Sequence, residues 1–481
     1  MRIFSGFVSC LGFCAACACS SGNGATGVDG GEDMDTGTGT GEDTPVWPPY
    51  EDAPDFTTAD KGYATGSAWA DIDGDGRLDL VVANGNDMLE GPLMVYLAQP
   101  DGSLPATASW QSGELAYYGH VAVGDVDGDG WTDVAVAEFI GESGFSEPGG
   151  VALYLNEGGA LPAAPSWESS ERFYCFSVAL GDVDNDGDLD LAAAAGEPYA
   201  QVLEPDRLFL NQGGAFAEPA AWVASDPSLS SDVAFLDADG NGALDLVFAR
   251  NGRPHAIYLN TGDVAAPGLP STAPDWEAPG AGFEGNTVDF GDLNGDGHVD
   301  IVVSDNNQLG GAGRVTAFCG PSFDPCWRSE DPPTYQSAVA LADLDGDGDL
   351  DLAAGSWWGP LRFYRNDTAP SGGLALETTP SAATDTSTVV ETITFHDLDG
   401  SGAYERVVEA EGPLVELPRR CEVVSSDPPG AIGDGYLTAP GNGKVKVTCR
   451  LSRALDLLVT DWTFDHGNDL YVHRGRARAD Q

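Results

Sequence analysis

Seven times along this 481-residue chain, oxygen-bearing side chains follow one spacing, D-x-D-x-D-G-x-x-D, in whole or with single replacements. The first four copies are Asp71, Asp73, Asp75, Asp79; Asp125, Asp127, Asp129, Asp133; Asp182, Asp184, Asp186, Asp190; and Asp237, Asp239, Asn241, Asp245. The last three are Asp292, Asn294, Asp296, Asp300; Asp343, Asp345, Asp347, Asp351; and Asp397, Asp399, Ser401, Glu405. Position seven, held by Arg77, Trp131, Asp188, Ala243, His298, Asp349 and Ala403, would add a backbone carbonyl. A hard cation takes six to eight oxygens at irregular angles, and a tight loop supplies them from alternate residues. Carboxylates packed this closely repel one another unless a cation neutralises them. The chemistry predicted is Ca²⁺ binding, about six to seven ions per chain. The seventh loop, with Ser401 at position five, is the weakest.

The elements that must hold these loops repeat with them. The first acids, Asp71, Asp125, Asp182, Asp237, Asp292, Asp343 and Asp397, stand 54, 57, 55, 55, 51 and 54 residues apart. An alternating run such as HVAVGD enters each loop and a run such as DVAVA leaves it, both read as strands. A third strand follows, as in MVYLA, VALYLN, RLFLN, AIYLN and LRFYRN. A fourth carries Trp110, Trp167, Trp222, Trp276 or Trp327, 15 or 16 residues before the next loop. Four strands per unit without helical periodicity are the blades of an all-β propeller. An EF-hand would need flanking helices and Glu at position twelve, where this chain has strand residues such as Val82 and Val136. Phe56 stands where other units place tryptophan, so an N-terminal strand is expected to close the ring. LDLLVTDW and DLYVHRG read as strands of one further, degenerate unit. Eight blades are expected, or seven with a C-terminal appendage.

The run VALGDVDNDGDLDLAAA resembles the calcium-loop half of FG-GAP/VCBS repeats, which integrin-α head propellers and many bacterial surface proteins carry. The similarity extends from about Phe56 to the C-terminus, while the Phe-Gly…Gly-Ala-Pro signature is degraded. This resemblance implies one Ca²⁺ per intact loop, held between the first and second strands of a blade.

Acidic residues number 77 and basic ones 21, a formal charge of −56. Phosphate repels such a surface, which excludes nucleic acid and anionic membrane as partners. Residues 1–19 form an apolar run after Arg2 and read as a signal peptide. SSGNG resembles the small polar run after a bacterial lipobox, with Cys19 as the lipidated residue and Cys17 its rival. Residues 20–46, almost all Gly, Ser, Thr, Asp and Glu, form a disordered tether. Residues 47–481 are the propeller. A cell-surface location on a lipid anchor is expected, with plain secretion the alternative. Cys319 and Cys326 bracket GPSFDP and suit a local disulfide; Cys421 and Cys449 suit a second. Cys175 is left over.

Catalytic patterns are lacking: there is no G-x-S-x-G, no H-E-x-x-H, and the six histidines follow no partner pattern. The rim opposite the acidic loops carries long, varied segments, where Phe139, Tyr199, Trp357 and Trp358 are candidates to stack on a sugar or anchor a protein. The sequence thus predicts an exported calcium-binding propeller that binds an extracellular glycan or protein. The alternative is a polysaccharide-degrading lyase or hydrolase on the same scaffold.

Overall fold

The computed structural model of the chain describes residues 47, 50, 54–85, 87, 89–262, 268–368, 372–384 and 388–396, then the strands and short segments within 403–411, 414–416, 422–427, 431–433, 436–438, 444–452, 456–461 and 468–471. The signal and tether, Cys19 among them, lie outside the described residues. All described regular structure is β-strand. None of it is a helix long and apolar enough to cross a membrane.

Six blades each contain four consecutive antiparallel strands. The second is typical: Tyr117–Gly124 innermost, then Asp133–Gly141, Gly144–Tyr154 and Trp167–Glu168. In these six blades the acidic loop joins the innermost strand to the second, as the alternating runs predict. The expected eight blades, or seven with an appendage, are corrected to six by the fate of the seventh repeat. Its innermost strand, Thr388–His396, does not pair with the strand after its loop, Ala403–Glu411. That strand turns instead to Lys444–Ser452, in a small three-stranded sheet with Glu422–Asp427.

Asp456–Asp461 and Asp469–Tyr471 belong to no eighth unit. They pair onto Thr388–His396 in that order, and the N-terminal Phe56–Thr57 adds the last strand, with Phe56 opposite Leu470. This composite sheet is bonded to the sixth blade through Trp357–Val389 and Gly359–Thr388. It reaches the first blade through Trp69 Nε1–H donating to Thr394 Oγ1 at 3.1 Å. The edge that an open sheet would expose is covered.

The core lies between blades, and two repeated contacts build it. The fourth-strand tryptophan of each of the first five blades packs against a ring on the third strand of the next: Trp110 on Tyr154, Trp167 on Phe209, Trp222 on Tyr258, Trp276 on Phe318 and Trp327 on Tyr364, with centroids 5.1–6.2 Å apart. All five meet edge to face, the arrangement the ring quadrupoles favour. The second contact is a clamp. The asparagine ending a third strand donates Nδ2–H to a carbonyl at position two of the preceding blade's acidic loop: Asn156 to Ile72, Asn211 to Val126, Asn260 to Val183 and Asn366 to Leu293, at 2.6–3.1 Å. Asn211 also donates to Leu189 O and accepts from Gly214 N–H. Truncation to alanine leaves these buried groups unpaired. Asn211→Ala is therefore expected to lower unfolding free energy by about 2–4 kcal/mol in urea titration, and an unchanged midpoint would refute the clamp.

Candidate metal sites and the opposite face

Each of the six described acidic loops is organised around its first aspartate. In the first five its two oxygens accept backbone N–H groups from positions five and six, in the second loop Asp125 Oδ1 from Asp129 at 3.0 Å and Oδ2 from Gly130 at 3.0 Å; in the sixth Asp343 takes Gly346 N–H at 2.7 Å and Gly348 N–H at 3.0 Å. The position-six glycines, Gly76, Gly130, Gly187, Gly242, Gly297 and Gly348, have φ between 84° and 102°. A side chain there would be strained, which is why glycine recurs.

Five loops bring three carboxylates together, with one oxygen of each within 4.8 Å of the others: Asp71, Asp73, Asp79; Asp125, Asp127, Asp133; Asp182, Asp184, Asp190; Asp237, Asp239, Asp245; and Asp343, Asp345, Asp347. Positions one, three and nine meet in the first four loops, and one, three and five in the sixth. At position five, Asp75, Asp129, Asp186, Asn241, Asp296 and Asp347 each accept the N–H of position seven, held by Arg77, Trp131, Asp188, Ala243, His298 and Asp349, at 2.7–3.0 Å. In the fifth loop Asp292 keeps the same turn, and Asn294 Nδ2 donates to Asp296 Oδ2 at 3.1 Å. Asp397, Asp399 and Ser401 lie outside the described residues, as do the side chains of Ala403 and Glu405.

The position-nine aspartates have a second task that spacing alone hides. Asp79, Asp133, Asp190, Asp245, Asp300 and Asp351 are buried, and each uses both oxygens on backbone amides. One amide belongs to position two of the same loop and the other to the end of the third strand: for Asp245, Ala238 N at 2.7 Å and Asn260 N at 2.6 Å. Asp351 does the same with Leu344 N and Asn366 N, both at 2.8 Å. Burial pushes Asp190, Asp245 and Asp351 up to about 8 and Asp133 and Asp300 to about 6, against the lowering effect of those N–H groups. Asp343 is likewise raised to about 6, chiefly by burial. Asp184 Oδ1 is buried without a hydrogen-bond partner. Clustered, desolvated carboxylates with an orphaned oxygen form a donor set that fits a hard divalent cation. The sixth loop is partly compensated by the chain itself, since Arg365 Nε lies 3.0 Å from Asp345 Oδ2.

The far ends of the same strands form the opposite face, where a central pocket opens. Of the four aromatic candidates, Phe139, Tyr199 and Trp357 line it, from the second, third and sixth blades. Trp358 stands outside it, 59 % exposed with φ 57°, against Tyr335 and Trp357. Phe139 is buried among Phe145, Tyr174 and Phe176. The lining also holds groups that the sequence reading passes over, among them Asp87, Asn286, Asn306 and Glu391. One signal marks two of them, Asn286 and Glu391. Six residues before each loop's first acid stand Thr65, Gly119, Phe176, Ser231, Asn286, Ser337 and Glu391, and the last is the single carboxylate of the series. Glu391 is 2 % exposed, accepts Trp357 Nε1–H at 2.7 Å, and is raised by burial to about 7.

Cys319 and Cys326 form the expected disulfide, with Cα atoms 5.7 Å apart. Cys175 is buried and free, and Cys421 lies outside the described residues.

Among known proteins, the FG-GAP-like repeat family matches residues 71–136, 139–193 and 237–303, and the FG-GAP repeat matches residues 335–366. Among solved structures, the chain is similar to the computationally designed Ika8 protein at 8% identity, covering 86% of this chain and 98% of that one, with a TM-score of 0.46. It is also similar to BBS1N, solved in complex with ARL6DN, at 10% identity, covering 90% and 100%, with a TM-score of 0.47. No curated protein matches.

Proposed function

From the premise that this chain is built of FG-GAP-like repeats in a β-propeller, we infer that it is an exported binding module whose acidic loops hold calcium and whose opposite face holds the ligand. The observation that carries the reading is the convergence of Phe139, Tyr199 and Trp357 from three blades on one pocket away from the acidic loops. Aromatic walls with a few polar groups between them are the composition of a ligand site. Calcium would be held by the five carboxylate groups and would supply charge neutralisation to loops that otherwise bury repelling anions. Its role is structural, fixing the strand ends, while an extracellular glycan or protein occupies the pocket face. The repeats and the local disulfide fit an extracellular setting.

The test is retention of the full-length chain on immobilised polysaccharides and matrix proteins, in millimolar calcium and again in EDTA. Calcium-dependent retention on one ligand class, abolished by Tyr199→Ala and without released fragments, is the expected result. Fragments in the wash would replace this reading with a polysaccharide-degrading enzyme. Retention that Tyr199→Ala leaves intact would move the site off the pocket.

A further inference from the structure

The central pocket is built of aromatic rings and carboxylates, and no Lys or Arg lines it among the described residues. Its acidic groups are not equivalent. Glu284 uses one oxygen on Leu309 N–H at 2.6 Å and the other on Gly311 N–H at 3.0 Å, so it serves the loop. Glu391, which accepts from Trp357 Nε1–H and from Asn286, and Asp87 line the cavity without a Lys or Arg beside them there. Asp87 Oδ1 is buried with no hydrogen-bond partner, and the Asp87 charge is one of those felt by Glu391. Asn306, 2 % exposed, has its Nδ2 without a partner in the same lining. The basic side chain that Glu391 senses is His120, and it is already engaged 3.3 Å from Asp232. Asp232 in turn accepts Ser177 Oγ–H at 2.6 Å and Val288 N–H at 2.9 Å, so that pair is self-contained. Two carboxylates therefore sit in a ring-walled cavity without a committed cation.

Resting on the reading of this cavity as the binding site, we propose that the group it admits is a primary ammonium, with Glu391 and Asp87 as counter-charges and Phe139, Tyr199 and Trp357 as walls. An ammonium is attracted to ring faces as well as to carboxylates. Its three donors also match the unpaired Asp87 oxygen, which a quaternary ammonium could not satisfy. A neutral polyol would leave the buried Glu391 and the half-buried Asp87 uncompensated.

The experiment titrates the full-length chain by calorimetry at constant calcium with two matched pairs. Glucosamine is set against N-acetylglucosamine, and Nα-acetyl-lysine methylamide against its Nε-acetylated form. The free amine of at least one pair binds, and its acetylated partner binds about tenfold more weakly or less. Glu391→Gln reproduces that loss, and Tyr199→Ala, a half-exposed position, gives a second loss in a variant expected to fold. Which pair responds separates an amino sugar from a lysine side chain. Equal binding of amine and amide would overturn the ammonium assignment and leave the pocket as a ligand site. Binding by none of the four probes would also overturn it, while Tyr199-dependent retention on the immobilised panel would show that the pocket reading survives.

Discussion

Calcium added to the EDTA-treated chain raises its thermal unfolding midpoint by about 10 °C at millimolar concentration. The size follows from mass action. Five carboxylate groups are assembled, and an extracellular-type affinity of about 10⁻⁴ M at 5 mM ion contributes about 2 kcal/mol per site. Spread over the unfolding entropy of a domain this large, the sum of about 10 kcal/mol corresponds to roughly 10 °C. The same loops set a pH dependence of opposite sign with and without metal. Asp190, Asp245 and Asp351 are raised by burial to about 8 from an ordinary 3.8. The folded, metal-free chain then binds protons more tightly than the unfolded chain. Its stability increases as pH falls from 8 toward 4, and is lost as pH rises through the folded values. Calcium competes with those protons, so its increment shrinks over the same descent. Scanning calorimetry at pH 8 and pH 5, in EDTA and in calcium, checks both signs. An EDTA-insensitive midpoint would end the calcium reading.

Asp245→Ala and Asp239→Ala, two substitutions in one loop, are expected to behave differently. Asp245→Ala removes the acceptor of two buried amides and lowers stability by about 3–5 kcal/mol in EDTA as well as in calcium. Asp239 is exposed and shares its group with Asp237 and Asp245. Its loss changes metal-free stability by no more than about 0.5 kcal/mol and removes about 2 kcal/mol of calcium stabilisation. Urea titrations of both variants, with and without calcium, separate the anchor from the ligand. Equal effects of the two substitutions in EDTA would show that position nine is no anchor.

Local features of this protein were legible because they rest on short-range pattern. Alternation located the strands on either side of each loop, and the recurring glycine at position six marked the φ that the turn requires. The tryptophans marked the fourth strands, although only the structure shows that each reaches a ring of the following blade. Blade number was misjudged for a physical reason. Repeat spacing reports where a strand begins, not which strand it pairs with. Ala403–Glu411 has the position of a second strand yet pairs with Lys444–Ser452, while Asp456–Asp461 takes its place beside Thr388–His396.

The sequence by itself determined the repeat unit, the all-β class, the loop carboxylates and the face on which the long, varied loops fall. Each follows from spacing within some fifty residues. Tertiary structure alone decided which carboxylates meet, that position nine also anchors two amides, how the ring closes, and that Glu391 and Asp87 share a pocket with Phe139, Tyr199 and Trp357. Those residues come from separate blades and the closing sheet, as far apart in sequence as Asp87 and Glu391. Only ring closure brings them together, and their burial, which makes the carboxylates chemically distinctive, does not exist until it has.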